Sequence, residues 1–447
     1  MQTALGLAYT PTPSRPKNPG GPSATVAFPR DCWNGPPPLF PAPRCAPPPG
    51  LHKRLLVLGS SGSIGTQTLD LVREDGDLQV AGLAASRSWE LVRDQAREHR
   101  VPYVAMADEE AAERLAPELP PGTTLLRGAN CLAELVAATD FDVCVHGVVG
   151  AAGLPASVAV LERGRTLALA NKESLVLAGA ELMALSERHG AEIVPVDSEH
   201  SAVFQCLRGE RIDRVRKVWL TASGGPFRTT PWDEMRSASP EKALAHPTWD
   251  MGKRISIGSA TLLNKALEVI ELHHLFGLDA DRIGVAVHPE SVVHSMVEFV
   301  DGSVVAQVGP PDMRGPIHFA LHHPDRAPSK LPGFDFRTFA KLTFEEPDLE
   351  RFPTLGLGFD CVRQGEDAGC VLNAADEVAV AAYLAGELSF EGISQVHRAV
   401  LAQRPGLHGS IDALLRADAR ARELATSEIE RLGASQTTSP TAPGTTA

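Results

Sequence analysis

Residues 51–196 alternate between short apolar runs and segments in which hydrophobic residues recur every three or four positions. Each apolar run is long enough for one buried strand, and the segments between several of them have the period of an α-helix. The runs are RLLVLG, LQVAGLAA, YVAM, FDVCVHG, RTLALA and AEIVPV. Because strands that alternate with helices form a parallel sheet with helices on both faces, we predict an α/β fold that begins with a doubly wound parallel sheet.

The pattern changes after residue 196. Strands are still predicted in KVWLTAS, IGVAVHP, SMVEFV and SVVAQV, but one long helix, ATLLNKALEVIELHHLFG, interrupts them. This mixture is typical of an α+β domain with a more antiparallel sheet, and we place it at 197–325. A linker at 326–351 then precedes a C-terminal helical domain at 352–432, where nearly every segment has the helical period.

The ends and the composition of the chain limit its partners. The first 50 residues hold 14 of the 36 prolines, so we predict a disordered extension at 1–50, and a Ser/Thr/Pro/Ala-rich tail at 433–447. The net charge of −13 argues against nucleic acid as a partner. No run of 18 apolar residues predicts a membrane helix. Seven cysteines without a CxxC pair favour a reducing compartment.

A glycine-rich turn follows the first predicted strand and precedes a predicted helix. Its glycines let the backbone turn sharply and approach a pyrophosphate, and the N–H groups at the start of the helix can bind the anion. This context predicts a Rossmann-like dinucleotide site, although a turn that only connects two elements is the alternative. The residues assigned to this site are Gly59, Ser60, Ser61, Gly62, Ser63, Ile64 and Gly65.

The end of the second predicted strand indicates which dinucleotide is bound. The strand runs into Ser86, Arg87 and Ser88, and no acidic residue occurs before Glu90. An acid at this position would bind the ribose hydroxyls and repel a 2′-phosphate. A cation between two hydroxyls therefore favours NADP, with a solvated surface arginine as the alternative interpretation of Arg87.

Carboxylates are concentrated in two segments beyond the first domain. Asp197 and Glu199 are two positions apart after a buried strand, so in an extended chain they would project to one face. Asn264, Lys265 and Glu268 share one face of the long helix, and Glu268 is the candidate third carboxylate. An all-oxygen set of this kind suits Mg²⁺ or Mn²⁺. A salt-bridged surface helix is the alternative for the second segment.

The segment 223–253 has little predicted secondary structure and contains prolines, Trp249 and Met251. A stretch this long in a compact protein usually has a function, often as a lid over a site. The two large apolar side chains would be costly to expose to water unless they close over a ligand.

Eight motifs, in this order and spacing, resemble the 1-deoxy-D-xylulose 5-phosphate reductoisomerase family over about residues 54–432. They are GSSGSIG, ALANKESLV, PVDSEH, LTASGGPFR, HPTWDMG, SATLLNKALEVIE, HPESVVHSMV and GPPDMR. The resemblance implies that a metal- and NADPH-dependent enzyme isomerises and reduces 1-deoxy-D-xylulose 5-phosphate. The implied product is 2-C-methyl-D-erythritol 4-phosphate, in the non-mevalonate route to isoprenoid precursors. It also implies a homodimer in the bacterial cytoplasm, or in a plastid if the N-terminal extension is genuine.

The resemblance further implies a role for each matching residue. The metal ligands would be Asp197, Glu199 and Glu268, and the phosphate would be held by Ser223, Ser259, Asn264 and Lys265. Substrate oxygens would contact Lys172 and Ser198, under a lid of His246, Trp249 and Met251, with Ser291 and His294 completing the pocket. Cofactor contacts would also come from Asn171, Lys172, Glu173 and Gly252. Lys172 and His246 join the three metal ligands as the expected catalytic residues.

Some features leave other interpretations open. His294 alone would more often be a core histidine, Lys172 and Glu173 could simply open a helix, and Ser259 could cap one. The chain has Ile257-Gly258 where the family usually has Val-Asp, and Ser88 where it usually has Asn, which puts phosphate and cofactor binding in question. A plain NADP-dependent dehydrogenase would not explain the three carboxylates and the lid. A nucleotide sensor would be expected to have lost one of the carboxylates or Lys265.

Overall fold

The computed structural model describes residues 52–249 and 251–437, and its first part is the predicted parallel sheet. Seven strands lie in the order β4-β3-β2-β1-β5-β6-β7, all parallel to their neighbours. Their bounds are β1 Lys53–Leu58, β2 Leu78–Ala85, β3 Tyr103–Met106, β4 Thr124–Arg127, β5 Val143–His146, β6 Thr166–Leu169 and β7 Glu192–Pro195. The strand order reverses between β1 and β5, and the carboxyl ends at such a point form a ligand crevice.

Helices connect these strands and cover both faces of the sheet, as the alternation predicts. They are α1 Ser63–Glu74, α2 Trp89–His99, α3 Glu109–Leu115, α4 Cys131–Ala138, α5 Leu154–Glu162 and α6 Lys172–His189. The central strand β1 is covered on both sides, since its four residues from Leu55 to Leu58 are fully buried. The six predicted strands are confirmed. The seventh, β4, escaped the sequence analysis because its residues are exposed or only half-buried.

The middle of the chain forms the second, mixed sheet. Its strands lie in the order β11-β10-β8-β9, with β8 and β9 parallel and the other pairs antiparallel. The elements here are α7 Ser198–Cys206, β8 Val215–Ala222, α8 Trp232–Met235, α9 Pro240–Leu244, α10 Lys253–Ala260, α11 Leu263–Phe276, β9 Ile283–Val287, β10 Val293–Phe299 and β11 Val304–Val308. The predicted α+β organisation is therefore confirmed, and two short helices, α8 and α9, occur within the predicted lid.

The long helix begins later than predicted. Leu262 has a positive φ of 56°, which breaks the run into α10 and α11. The backbone N–H of Leu263 donates to the hydroxyl of Thr261 at 3.3 Å, so this turn has its own hydrogen bond. The first three residues of ATLLNKA belong to the end of α10 and to the turn, and the prediction of one continuous helix from Ala260 was wrong.

Helices complete the C-terminal part. They are α12 Arg314–His322, α13 Phe336–Phe339, α14 Pro353–Gln364, α15 Ala368–Ala385, α16 Phe390–Leu401 and α17 Ile411–Thr437. Helix α17 continues five residues into the segment assigned to the tail, while the rest of that segment and the predicted extension at 1–50 lie outside the described residues. Among the described helices, α15 has the length and composition to cross a membrane, but 72% of it is buried within the protein, as in a core helix.

Candidate active site

A cavity of about 400 Å³ opens at the carboxyl ends of the first sheet and is bounded by α1, α7, α10, α11 and the lid segment. Seventeen residues singled out in the sequence line it. They are Ser63, Ile64, Lys172, Asp197, Ser198, Glu199, Ser223, His246, Trp249, Met251, Gly252, Ser259, Asn264, Lys265, Glu268, Ser291 and His294. The fold therefore brings the whole predicted metal and substrate set, together with the start of the nucleotide helix, around one space.

The acidic cluster begins where β7 ends. Asp197 occupies the N-cap position of α7, and its side chain accepts a hydrogen bond of 3.3 Å from the backbone N–H of Glu199. The two residues are thus held together at a helix start, and the expectation of an extended chain was wrong. A carboxylate at an N-cap satisfies a free N–H group, and this preference replaces the strand geometry.

Two lysines separate the carboxylates inside the cavity. Lys172 contacts Asp197 and lies 3.1 Å from Glu268 Oε1, while Lys265 contacts Glu268 and lies 2.8 Å from Glu199 Oε1. Burial opposes charge on Lys172, but the neighbouring Asp197 and Glu268 hold its pKa well above the usual value. Burial likewise opposes charge on Asp197, but Lys172 holds its pKa well below the usual value.

Negative charge exceeds positive charge around this cluster. Burial, followed by repulsion from Glu268, raises the pKa of Glu199 to about 7. A fourth carboxylate, Glu271, lies behind the cluster on α11, and burial raises its pKa to about 7. Two ammonium groups and the ring of His200 supply at most three positive charges against four carboxylates, and a divalent cation would reduce the remaining repulsion. The oxygen-rich set of Asp197, Glu199 and Glu268 therefore fits Mg²⁺ or Mn²⁺.

His200 lies beside the same cluster, within the spacing that a metal ion requires: its ring and the carboxylates of Asp197 and Glu268 offer ligand atoms within 4.8 Å of one another. However, its Nε2 lies 2.9 Å from the backbone carbonyl of Glu268, and its Nδ1 faces the carboxylates of Glu271 and Asp197. Burial opposes charge on the ring, but these two carboxylates raise the pKa of His200 to about 9. With Nε2 at a backbone carbonyl and Nδ1 facing two carboxylates, the ring is placed as a hydrogen-bond donor to oxygen atoms.

The glycine turn has the geometry that the motif predicts. Gly59 has a φ of 82°, and a Cβ there would lie 2.7 Å from the carbonyl oxygen of Gly147 on the neighbouring strand connection. Gly62 is the N-cap of α1, so its backbone stands at the free N–H groups of the helix. Ser63 reaches the surface, whereas Ser60 is fully buried, and its hydroxyl has no hydrogen-bond partner among the described residues.

The segment assigned to the 2′-phosphate lies exposed at the end of β2, and Ser86, Arg87 and Ser88 all reach the solvent. The side chain of Arg87 is 85% exposed and lies 3.4 Å from Asp108, a neighbour that the sequence did not indicate. Ser88 occupies the N-cap position of α2 without capping it through its side chain.

Asn171 and Glu173 are turned into the protein and do not line the cavity. The amide of Asn171 accepts from the backbone N–H of Ser174 and so caps α6. Glu173 forms an ion pair with Arg254 at the start of α10. The structure therefore gives both side chains internal partners, and their assignment to the cofactor stays a prediction.

The predicted phosphate residues converge because two loops approach closely. Gly225 has a φ of 66°, and a Cβ there would lie 2.6 Å from the carbonyl oxygen of Ser259. Only glycine permits this contact, which brings the loop after β8 against the end of α10. Ser259 lies within α10, so it does not cap the helix before ATLLNKA. Gly258 stands where the family usually has Asp, and a Cβ at this position would lie 3.4 Å from the backbone nitrogen of Asn264.

The lid carries a histidine with a defined orientation. His246 Nδ1 accepts from the backbone N–H groups of Thr248 and Trp249 at 3.1 and 2.9 Å, so Nε2 carries the proton and donates to Ser223 Oγ at 3.0 Å. Trp249 lies with its ring centroid 6.5 Å from that of His294. Ser291 has a φ of 52° and a buried hydroxyl without a hydrogen-bond partner among the described residues.

Contacts between the lid and the C-terminal helices were not predicted residue by residue. Phe227 packs edge-on against Phe390 at 5.1 Å, and the hydroxyl of Tyr383 donates to the carbonyl of Ala238 at 2.9 Å. Arg254 binds Asp376 at 3.1 Å. These pairs are more than 100 residues apart in sequence, so no local pattern could have identified them. The C-terminal helices therefore contact both the lid segment and the start of α10.

Known proteins match this chain along most of its length. Residues 55–179 match the family described as 1-deoxy-D-xylulose 5-phosphate reductoisomerase, and residues 193–276 and 308–424 match its C-terminal domains. The reductoisomerase of Chlorobium phaeovibrioides is 46% identical over 84% of this chain and 99% of the relative, and that of an Anaeromyxobacter species is 50% identical over 78% and 90%.

Solved structures agree with the sequence comparison. The reductoisomerase of Zymomonas mobilis in complex with NADPH has a TM-score of 0.80 and 40% identity, covering 85% of this chain and 99% of its own. A second reductoisomerase structure, in complex with NADPH, fosmidomycin and magnesium, has a TM-score of 0.81 and 36% identity with the same coverage.

Proposed function

This chain belongs to the 1-deoxy-D-xylulose 5-phosphate reductoisomerase family, and we propose that it isomerises and reduces the ketose phosphate of that name with NADPH and Mg²⁺ or Mn²⁺. The product is 2-C-methyl-D-erythritol 4-phosphate, a precursor for isoprenoids. One observation of the structure carries this proposal: the buried carboxylates, the start of the nucleotide helix and the lid all line the same cavity. A metal-held sugar phosphate and a hydride donor could therefore meet there.

The carboxylates on α7 and α11 supply the metal site. Asp197, Glu199 and Glu268 would hold a divalent ion, which polarises a carbonyl and stabilises the negative charge that develops on its oxygen. Lys172 lies between two of these carboxylates, within the same cavity. From this position its ammonium group can donate a hydrogen bond to a substrate oxygen and help to orient the substrate.

The substrate phosphate is assigned to residues beside these carboxylates in the same cavity. Ser223 and Ser259 are brought together by the close approach at Gly225, and Asn264 and Lys265 begin the adjacent helix α11. Two hydroxyls, an amide and an ammonium group supply hydrogen bonds and positive charge for a phosphate dianion. Binding of this remote group orients the reacting carbons, which is a major source of rate enhancement.

The lid closes the remaining side. His246 presents a protonated Nε2 to Ser223, so the same N–H can donate to a substrate hydroxyl once the lid covers the pocket. Trp249 and Met251 line the cavity and would exclude water from the carbon chain. Burial lowers the pKa of His246, which favours a neutral ring that is a hydrogen-bond donor at Nε2 and an acceptor at Nδ1.

NADPH is assigned to the crevice between β1 and β5. The turn from Gly59 to Gly65 accommodates the pyrophosphate, and Ser86, Arg87 and Ser88 bind the 2′-phosphate. NADPH supplies the hydride for the reduction step. Because Ser63 and Ile64 line the same cavity as the carboxylates, the nicotinamide can reach the substrate.

The activity is tested by following NADPH absorbance with the full chain, 1-deoxy-D-xylulose 5-phosphate and Mn²⁺, with and without EDTA. We expect oxidation that requires both the ketose phosphate and the metal. A Glu268→Gln variant should lose most of this activity, whereas Glu187→Gln, on the exposed surface of α6, should keep it. NADPH binding without any metal-dependent turnover would refute the proposal and support a nucleotide-sensing protein.

We further propose that the protein is a homodimer. The outer strand β11 exposes Val304, Val305 and Val308 at 54%, 42% and 44%, on a strand with one unpaired edge. An exposed apolar edge strand can pair with an edge strand of another chain. Light scattering after size-exclusion chromatography should give twice the mass of one chain. The Val305→Lys variant should give the mass of a single chain. A monomeric wild-type protein would contradict this proposal.

The bacterial cytoplasm is the proposed location. Five cysteines of the described residues are unpaired, as expected in a reducing compartment. The alternative is a plastid, with the segment 1–50 as its targeting extension. Sequencing the N-terminus of the protein purified from its own cells distinguishes the two, because removal of this segment would favour the plastid.

A further inference from the structure

A histidine and a glutamate lie directly behind the metal site and do not line the cavity. His200 is on α7 and Glu271 on α11, and both side chains are fully buried. Neither can touch a substrate in this pocket. Glu271 lies three positions after Glu268 and seven after Asn264, so these three residues form one stripe on the inner face of α11.

The ring of His200 links two of the assigned metal ligands. Its Nε2 lies 2.9 Å from the backbone carbonyl of Glu268, and its Nδ1 lies 3.6 Å from Asp197 Oδ1. Its position therefore governs where the Asp197 carboxylate can stand relative to the backbone that carries Glu268. The ring itself needs a partner that fixes its rotation, because a histidine held by only one hydrogen bond can turn.

Glu271 is placed to provide that partner. Its Oε2 lies 3.3 Å from His200 Nδ1, and neither of its carboxylate oxygens has a hydrogen-bond partner among the described residues. A buried carboxylate without hydrogen bonds is unfavourable, and such groups usually have a specific use. The charge contact with His200 is the use that the surroundings offer.

We propose that Glu271 and His200 act as a positioning pair, in which Glu271 orients the imidazole and the imidazole orients Asp197 for the divalent metal ion. This inference rests on the metal site proposed above and extends it to two residues that touch neither metal nor substrate. Partners of this kind behind metal ligands typically change metal affinity by about 10- to 100-fold when they are removed.

The test is a double-mutant cycle on Mn²⁺ binding to the full chain, measured by electron paramagnetic resonance of free Mn²⁺ without substrate. Glu271→Gln keeps the size of the side chain and should raise the Kd of Mn²⁺ about tenfold or more. His200→Gln should have a similar effect. The Kd of Mn²⁺ for the double variant should not exceed that of the single variant with the higher Kd, because Glu271 acts through His200. Glu187→Gln, which removes an exposed charge from α6, should bind Mn²⁺ like the wild type.

NADPH affinity and the melting temperature separate positioning from a general structural role. Both should stay close to the wild-type values in Glu271→Gln if the residue positions the metal site. If that variant fails to fold, Glu271→Asp is used, with an intermediate loss of Mn²⁺ affinity expected. An unchanged Kd of Mn²⁺, or additive losses in the double variant, would overturn the positioning pair while leaving the proposed function standing. Absence of Mn²⁺ binding by the wild type would overturn both.

Discussion

Arg254 connects the end of the lid to the C-terminal helices, and its removal should weaken both stability and substrate binding. Its side chain is 18% exposed and forms ion pairs with Glu173, Asp376 and Glu377, whose side chains are 9%, 2% and 19% exposed. It also donates to the amide oxygen of Asn373 at 2.7 Å. The Arg254→Met variant lacks this cation, so at least two buried carboxylates lose their main partner.

The magnitude follows from what each carboxylate retains. Glu377 keeps Arg422 at 2.7 Å, whereas among the described residues Glu173 keeps only the amide of Asn171 at 3.1 Å. Breaking a buried ion pair by removing one partner costs about 3–5 kcal/mol. Since the remaining contacts offset part of this, we expect a loss of about 3 kcal/mol. At about 2 °C per kcal/mol for a chain of this size, the melting temperature should fall by about 6 °C.

The functional effect is measured as a split between KM and kcat. Helix α10 carries Ser259 and follows Met251, so a loosened α10 should raise the KM for the ketose phosphate severalfold and change kcat less. Arg254→Lys should give an intermediate result, because one ammonium group cannot reach all the partners of a guanidinium. Arg114→Met, which breaks an exposed ion pair on α3, is the matched control and should melt like the wild type. A melting temperature within one degree of the wild type for Arg254→Met would refute the reasoning.

Three further predictions concern the nucleotide domain. Gly59→Ala should raise the Kd of NADPH about tenfold or more, measured by fluorescence titration, because a Cβ at φ 82° would meet the carbonyl of Gly147; unchanged affinity would contradict the tight turn. Arg87→Ala should weaken NADPH about 10- to 100-fold and leave NADH almost unaffected, and equal losses for both would remove the assignment of the 2′-phosphate. Burial lowers the pKa of His146 to about 4, so the folded state resists protonation of a ring that titrates near pH 6.5 when unfolded. This contribution to stability is present above pH 6.5 and is lost as the pH falls toward 4, so melting curves of His146→Gln should depend less on pH over that range than those of the wild type.

Periodicity predicts the first sheet because its strands are buried on both faces and its helices have one apolar side. The strand β2 matches its predicted run residue for residue, from Leu78 to Ala85. Helices α3 and α5 were not identified, because α3 has only seven residues and α5 is apolar around most of its circumference. In both cases the 3.6-residue signal is weak, and their position is determined by packing against the sheet.

Most of the residues that line the cavity were predicted from the sequence, but not the ion pairs that form between them. The family resemblance groups Lys172, Asp197 and Glu268 in one site, yet nothing local indicates that an ammonium group stands between the two carboxylates. Likewise, the sequence shows Ser60 as a possible hydroxyl donor, whereas the turn buries it. The direction of a side chain depends on the turn or cap that carries it, and that is decided by hydrogen bonds that a pattern of residue types does not specify.

The charges of the cavity support a site that combines the two lysines with a metal ion. Four carboxylates in this cluster come from two helices, and among the described residues the cations that contact them are Lys172, Lys265 and the ring of His200. Further lysines would balance the charge but would fill the space in which a substrate oxygen must bind. A divalent ion instead supplies two charges at one point and leaves coordination positions for oxygen ligands. The excess of carboxylates thus supports the divalent metal site proposed above.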